Sequence, residues 1–487
     1  MDMHYSNLAD YITLLESRNL LKRISEQVTS ELEITEITNR VMDNSGPVLL
    51  FENVDNQSIP VLTNLFGSDE KMALALGVEN IEQISQRISE LLASVQSPPH
   101  SFIDKLKTLG KVLNIGKLSP KTVKTAPCQE IVLSGENVNL FNFPILKNWP
   151  QDGGRFITLP LVITKDPSKS TQNYGIYRMQ VHDKNTTGMH WQTHKGAAEH
   201  YRNTTDKLEV AVAIGSDPAT IWAGSAPLPP NIDEMLLAGF IRNKPVDLVQ
   251  CKSVNLKVPA NSEIILEGYV NKGEERLEGP FGDHTGYYSF KELYPIFHVT
   301  TITHRKNPIY PSALVGRPPK EDFWMGKVTE RIFLPMIKMI FPEIMDINMP
   351  AEGIFHNLLI VSIKKQYPGQ AFKVMNGIWG LGLLSLTKTI IVVDDFVNIQ
   401  DHSEVTWRVA GNINFDTDIL ISKGPLDDLD YSSQSSKFGS KLGVDATRKI
   451  TGEGYTKSWP DDVIMSDDIV SLVNKKWALY NIGEFEK

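Results

Sequence analysis

Cysteine is almost missing from this chain of 487 residues: Cys128 and Cys251 are the only two. Two thiols cannot build a disulfide framework or a cysteine-rich metal centre, and both are expected to be small buried hydrophobes. Long apolar runs are missing too. No segment reaches the roughly 18 apolar residues of a membrane span, and acids and polar residues break up the stretch 1–24 where a secretory signal carries a continuous apolar core. No long run of Lys and Arg occurs, and the net charge of −9 makes the chain a poor match for a polyphosphate, so no nucleic-acid partner is expected. The expected location is the cytoplasm. A G-x-G-x-x-G turn and Walker spacing are absent, which argues against a dinucleotide or a P-loop.

What is present reads as three textures, in keeping with a length too great for one ordinary domain. Residues 1–115 form a mixed α/β region. Leu8, Tyr11, Ile12 and Leu15 fall at helical spacing, with Ser6 or Asn7 placed to cap. A second helix is expected over 32–42 and an apolar strand over 48–51. Ser68 can cap a short helix ending at Gly77, and a longer helix follows over 81–95. Residues 116–315 alternate short β-branched and aromatic runs with Gly, Pro and Asn clusters, the pattern of a split β-barrel-like or sandwich domain, with one helix over 232–242. Residues 316–487 alternate strand and helix (strands at 358–363, 388–393 and 418–422), the signature of a Rossmann-like α/β sheet with parallel strands. The Gly/Ser/Lys stretch 438–447 is expected to be a solvated turn.

Three segments carry chemistry. The run LEGPFGDHTGYY at 277–288 places Glu278 and Asp283 five residues apart across a Gly-Pro turn. If both face a dry pocket, repulsion and desolvation raise one pKa and create a neutral acid near pH 7. A tight turn with solvated acids, Asp283 capping backbone amides, explains the same residues, and composition does not separate the two. The segment QNYGIYRMQ at 172–180 places Arg178 on an otherwise apolar strand face beside Ile176 and Gln180, suited to a carboxylate or phosphate. A salt-bridged or snorkelling arginine is the plainer reading. Asn173 has the opposite strand parity, so one site can hold both only if the chain turns or bulges near Gly175. The run GMHWQTHKG at 188–196 offers His190, which with a carboxylate such as Glu234 and an amide oxygen makes a mixed N/O set for Mn²⁺. Against that, Asn231 and Glu234 have capping-box spacing.

Together these segments resemble the UbiD family of prenylated-FMN-dependent decarboxylases. The resemblance runs almost end to end, through LEITEI at 32–37, the Asn173–Arg178 strand, EGPFGDHTGYY, GRPP at 316–319 and GSKLGVDAT at 439–447. It is nearest to the quinone-biosynthesis members of 3-polyprenyl-4-hydroxybenzoate carboxy-lyase type. The resemblance implies a split-barrel cofactor domain between an N-terminal α/β region and a C-terminal oligomerisation domain. It implies catalytic Arg178, Glu278 and Asp283, with Asp283 the preferred proton donor. Metal ligands would be Asn173, His190 and Glu234. Ile176, Tyr177, Arg178, His190, Trp191, Gln192, Lys195 and Gly196 would hold prenylated FMN. Mn²⁺ is the implied metal, with K⁺ as an accompanying ion. Implied partners are a flavin prenyltransferase as cofactor supplier, further copies of the chain in a homo-oligomer, and at most a peripheral contact with the inner membrane. The expected reaction is non-oxidative decarboxylation of a polyprenylated aromatic acid, with naphthoate or reversible hydroxybenzoate chemistry as alternatives. Outside that class stand an ordinary FMN oxidoreductase and a non-catalytic flavin-binding subunit. Trp324 or Tyr287 could line the substrate pocket or fill core.

Overall fold

The first helix shows how directly local chemistry becomes structure. Asn7 accepts a hydrogen bond from the Asp10 amide at 2.9 Å, and Leu8, Tyr11, Ile12 and Leu15 of Leu8–Ser17 are all buried. The cap satisfies an amide the helix cannot, and the apolar stripe supplies the burial. In the computed structural model, which describes residues 5–96, 116–167, 171–192, 196–228, 232–433 and 437–483, this helix lies over a four-stranded sheet. The sheet order is Leu21–Val28, Val48–Val54, Val61–Thr63 and Tyr310–Pro311. The last strand comes from the far end of the central region, so the N-terminal and central units share one sheet. Ser68 caps Asp69–Ala75 as the spacing predicts, through the Lys71 amide at 3.2 Å.

The main sheet of the central region has seven strands, all antiparallel, beside a small three-stranded sheet of Lys257–Pro259, Asp247–Gln250 and Lys121–Val123. The order of the main sheet is Thr186–Gly188, Glu292–His304, Ile264–Glu278, Lys207–Ile214, Pro160–Lys165 and Gln172–Ile176, with Ile131–Ser134 also pairing to Glu292–His304. Val162, Val210, Val212, Leu266, Phe297 and Ile302 line one buried face. Ile163, Ala211, Ala213 and Ile265 face a second cluster. Alternation with period two, buried on both sides, explains the dense β-branched content. The strands at 264–278 and 292–304 are longer than the runs 263–270 and 296–303 expected from sequence, because the outer half of the first is largely polar and the outer end of the second is a short Glu-Leu-Tyr-Pro run. That extension corrects the picture of Glu278 as a turn residue. It is the last residue of a strand and pairs with Glu292.

The C-terminal sheet departs from expectation in three ways. Its order is Ile344–Asn348, Leu358–Ile363, Thr389–Asp394, Phe438–Asp445 and Ile419–Pro425. Only the inner pairs are parallel, and both edge strands run antiparallel. The stretch 438–445 is therefore not a solvated turn but an inner strand. Its small residues are required there: a Cβ on Gly443 would lie 2.5 Å from Met375 Sδ, under the helix Gln370–Trp379. Its Lys441 is buried, with Nζ donating to the carbonyls of Ser385 and Thr387. Glycine and serine carry turn chemistry locally, and tertiary packing overrides it. The third departure is the 20-residue helix Glu321–Ile340, absent from the sequence reading. It packs on the N-terminal cluster through Met325, Val328 and Ile332. Trp324, half-buried, packs against that cluster.

The long hairpin depends on one close approach. An added Cβ on Gly268 would stand 1.8 Å from the His298 carbonyl oxygen, at a register shift between Glu267 and Gly268. Backbone cannot yield there cheaply. Gly268→Ala is expected to lower stability by about 1–3 kcal/mol, read as a reduced urea midpoint. An unchanged midpoint would show that the hairpin relaxes freely.

Candidate active site

The strand Gln172–Ile176 stops one residue short of Tyr177, and the chain resumes as Met179–Gln180 in a different, two-stranded sheet. Leaving the strand breaks the alternation that set Asn173 and Arg178 on opposite faces. The break falls at Tyr177-Arg178, after Gly175. Arg178 is thereby free to lie over the Phe281 ring, its guanidinium carbon 4.7 Å from the centroid.

The loop after Glu278 is pinned on all sides. Gly279 N donates to Gln180 Oε1 at 2.7 Å, Gly282 N to Asp152 Oδ1 at 2.8 Å, and Gly153 N to the Pro280 carbonyl at 2.8 Å. Gly282 packs flat on the Trp149 ring, where a Cβ would lie 2.1 Å from Cδ1. Gly286 takes φ +80° and returns its amide to the Asp283 carbonyl at 2.9 Å. The result is a rigid loop that delivers Asp283 to the same guanidinium as Glu278.

Arg178 Nε donates to Glu278 Oε1 at 3.1 Å, and Nη1 donates to Asp283 Oδ2. His190 Nδ1 lies 3.0 Å from the same Glu278 oxygen, and its ring stacks on Tyr294 with centroids 4.2 Å apart. The second Glu278 oxygen, Oε2, is buried and makes no hydrogen bond. It occupies room left by Gly188, whose Cβ would stand 2.6 Å away. Charge-assisted bonds in a dry site are strong, and the site has three of them.

These contacts overturn the expected protonation. Burial pushes both carboxyls up, but His190 and Arg178 more than offset it for Glu278, and Arg178 and His284 do so for Asp283. Both are held below the ordinary carboxylate range. A cation sits between the acids, so they do not repel a proton onto each other. The proton is instead on His284. Burial opposes its charge, but Asp283 raises it to about 9. Its Nδ1 lies 2.8 Å from Asp283 Oδ1, and its Nε2 lies 2.7 Å from His356 Nε2. His284 is the functional candidate that sequence reasoning passed over, although its place beside Asp283 in GDHTG marked it.

The second expected set divides. The Glu234 carboxylate accepts from the Tyr174 amide at 3.3 Å. Burial raises Glu234 to about 7, and no described cation pairs with it. Asn173 Nδ2 is buried without a hydrogen bond, and Asn173 Oδ1 lies 2.3 Å from where a Cβ on Gly196 would stand. An orphan amide and a half-buried carboxylate without a described cation are features of a cation or phosphate site. Glu234 opens the helix Glu234–Arg242, but the cap is Asp233, which accepts from Met235 N at 2.7 Å. Asn231 lies outside the described residues. His190 is committed to Glu278 by its Nδ1, so Nε2 is its remaining ligand atom. Tyr177 is buried and accepts from the Ala197 amide at 3.4 Å. Trp191 is buried with its Nε1 unbonded, Gln192 is half-buried, and Ile176 packs on the N-terminal cluster. Lys195 lies outside the described residues.

One end of the antiparallel sheet thus carries an arginine-bridged acid pair, and sequence comparison identifies the class. The family models of the 3-octaprenyl-4-hydroxybenzoate carboxy-lyase match throughout: the N-terminal domain over 12–90, the Rift-related domain over 121–318 and the C-terminal domain over 323–446. The chain belongs to the UbiD family and is a decarboxylase of that class. An uncharacterized protein of Archaeoglobus fulgidus is 51% identical over 480 residues, 98% of each chain. One of Aquifex aeolicus is 48% identical over 483 residues, 98% of this chain and 99% of that one. Among solved structures, the Sedimentibacter hydroxybenzoicus vanillic acid decarboxylase in closed form superposes with TM-score 0.84 at 26% identity, covering 98% of this chain and 99% of that one. HmfF of Pelotomaculum thermopropionicum, a UbiD-class enzyme solved with FMN, gives 0.78 at 28% identity, covering 96% and 99%. No helix among the described residues is long and apolar enough to cross a membrane.

Removing the central cation tests the electrostatics. Arg178→Met leaves two buried carboxylates without their shared partner, at a cost of about 3–5 kcal/mol near neutral pH. In the native protein both folded pKa values lie below the unfolded ones. Their contribution is therefore present above the unfolded values and lost as pH falls through the folded ones. In the variant the folded values rise above the unfolded ones, so stability falls as pH rises through them. Urea unfolding should show the gap between the two proteins widening from about pH 4 to about pH 8. A gap independent of pH would show that Arg178 does not keep the acids charged.

Proposed function

We propose that the protein decarboxylates an aromatic acid without net oxidation, using prenylated FMN, with Arg178, Glu278 and Asp283 as its reacting side chains. The observation that carries this reading is the Arg178 guanidinium, its side chain 11% exposed, shared by two buried carboxylates, one ending a strand and one on the rigid loop that follows it. HmfF, whose fold this chain shares, has been solved with prenylated FMN. The group, when bound, supplies an electron sink for the carbanion left by CO₂, chemistry no side chain offers. Asn173, Glu234 and His190 Nε2 would hold its phosphate through Mn²⁺, with Ile176, Tyr177, Trp191, Gln192, Lys195 and Gly196 around it.

The chain's own residues handle anion and proton. Arg178 orients the substrate carboxylate. A third anion on that guanidinium weakens its hold on Asp283, and the Asp283 pKa climbs toward a value at which it carries a proton. The nearest donor is the His284 imidazole at 2.8 Å. Asp283 then protonates the carbon that lost CO₂, ordinary general-acid work. Glu278, held by Arg178 and His190 and fully buried, keeps Arg178 in position and its free oxygen toward the site.

As substrate we favour a hydroxybenzoate bearing a polyprenyl tail, from quinone synthesis. Leu277, Tyr287, Phe290 and Leu293 stand exposed on the hairpin that carries the acids, an apolar rim suited to an isoprenoid. Asp283→Asn is expected to leave folding and flavin binding intact and to cut turnover by about 10²-fold or more. Turnover near that of the native protein would sink the acid assignment. Protein co-produced with a flavin prenyltransferase should release CO₂ from an aromatic acid anaerobically and without nicotinamide, and mass spectrometry should find prenylated FMN. A requirement for nicotinamide would favour an FMN oxidoreductase instead.

A further inference from the structure

Two imidazoles face each other where the central and C-terminal units meet. His284 comes from the loop after Glu278, and His356 from the short turn Phe355–Asn357 before the strand Leu358–Ile363. Their Nε2 atoms are 2.7 Å apart, and a carboxylate oxygen of Asp427 completes a trio whose ligand atoms all lie within 4.8 Å of one another. All three residues are half-buried. We propose that His284, His356 and Asp427 bind a borderline divalent cation of the Zn²⁺ class, which ties the C-terminal domain to the acid loop.

Four observations support the assignment. Two imidazole nitrogens and one carboxylate oxygen are the donor set of three-ligand zinc centres, which keep a fourth position for water or substrate. His284 is held in the orientation a ligand needs: its Nδ1 donates to Asp283 at 2.8 Å, which fixes the ring and points Nε2 at the site, and an entering cation displaces the proton that Nε2 carries. A carboxylate behind a ligating histidine is the usual orienting partner. Acidic groups surround the pair, with Asp322 and Asp430 acting on the imidazoles in addition to Asp283 and Asp427. Finally, Ile354 and Phe355 both take positive φ, +51° and +35°, in the residues that present His356. A β-branched residue adopts that conformation rarely and at a cost. With both nitrogens at 2.0–2.1 Å from a cation they would stand about 3.3 Å apart, so metal entry requires them to part by roughly half an ångström.

The site is distinct from Asn173, Glu234 and His190, and it does not depend on the decarboxylase reading. The test uses the full chain, stripped with chelator and titrated with Co²⁺ under anaerobic conditions. One equivalent is expected to give the intense visible bands of low-symmetry Co²⁺, displaced by Zn²⁺. His356→Ala and, separately, the milder Asp427→Asn should each weaken binding by at least about tenfold, while Glu234→Gln leaves the bands unchanged. Far-UV circular dichroism checks that each variant is folded. Absence of the bands would mean that the imidazoles share only a proton and would overturn the proposal. Bands that survive both His356→Ala and Asp427→Asn would place the ion elsewhere and overturn it equally.

Discussion

The Arg178 guanidinium is the constraint around which the rest of the site is arranged. Burying two carboxylates with one arginine is costly unless the geometry is good and the remaining polar atoms are satisfied. Asp283 meets the condition with Arg178 and His284, whereas Glu278 meets it at one oxygen only, with Arg178 and His190 both on Oε1. The positions of these five residues are therefore coupled, and neither acid nor the arginine can shift alone without stranding a buried charge. Three different structural devices deliver them: a strand that ends early, a strand that runs long, and a loop clamped by Gln180, Asp152 and Trp149.

An acid pair bridged in this way is a resting state. With Arg178 charged and both carboxyls depressed, neither acid can give up a proton until another anion competes for the guanidinium. The substrate is such an anion. On the function proposed above, the arrangement links proton donation to occupancy, since Asp283 becomes a better acid carrier only when a carboxylate draws on the same cation. The free oxygen of Glu278, given room by Gly188, adds an acceptor inside the site without a bond to hold it back.

Much of this was legible in the sequence, and the failures have physical causes. Helices with capped, periodic stripes such as Leu8–Ser17 and Asp69–Ala75 read cleanly because local and tertiary preferences agree there. The strand Phe438–Asp445 did not, because the residues that fit beneath Met375 and Trp379 are also those of a turn. The outer half of the strand 264–278 is largely polar, and the outer end of 292–304 is a short Glu-Leu-Tyr-Pro run, so neither carries an apolar alternation long enough to read. Glu278 and Asp283 stood out by type and spacing, but spacing cannot reveal that Arg178, a hundred residues earlier, lies between them. That missing partner reversed the expected sign of the pKa shift. His356 and Asp427 had no local signal at all, since only the folding of the C-terminal sheet brings them to His284.

That last convergence extends the argument beyond the acids. From Glu278 through Arg178, Asp283 and His284 to His356, hydrogen bonds run unbroken from the central sheet into the C-terminal domain. A shift of the C-terminal domain that separated His356 from His284 would leave His284 held by Asp283 alone, and the Asp283 hydrogen bond would then set its ring position. Conversely, an anion that loosens Asp283 from Arg178 strengthens its claim on His284 Nδ1. Domain position and acid state are thus coupled through one imidazole, and whatever occupies its Nε2, a shared proton or a metal ion, decides how tightly.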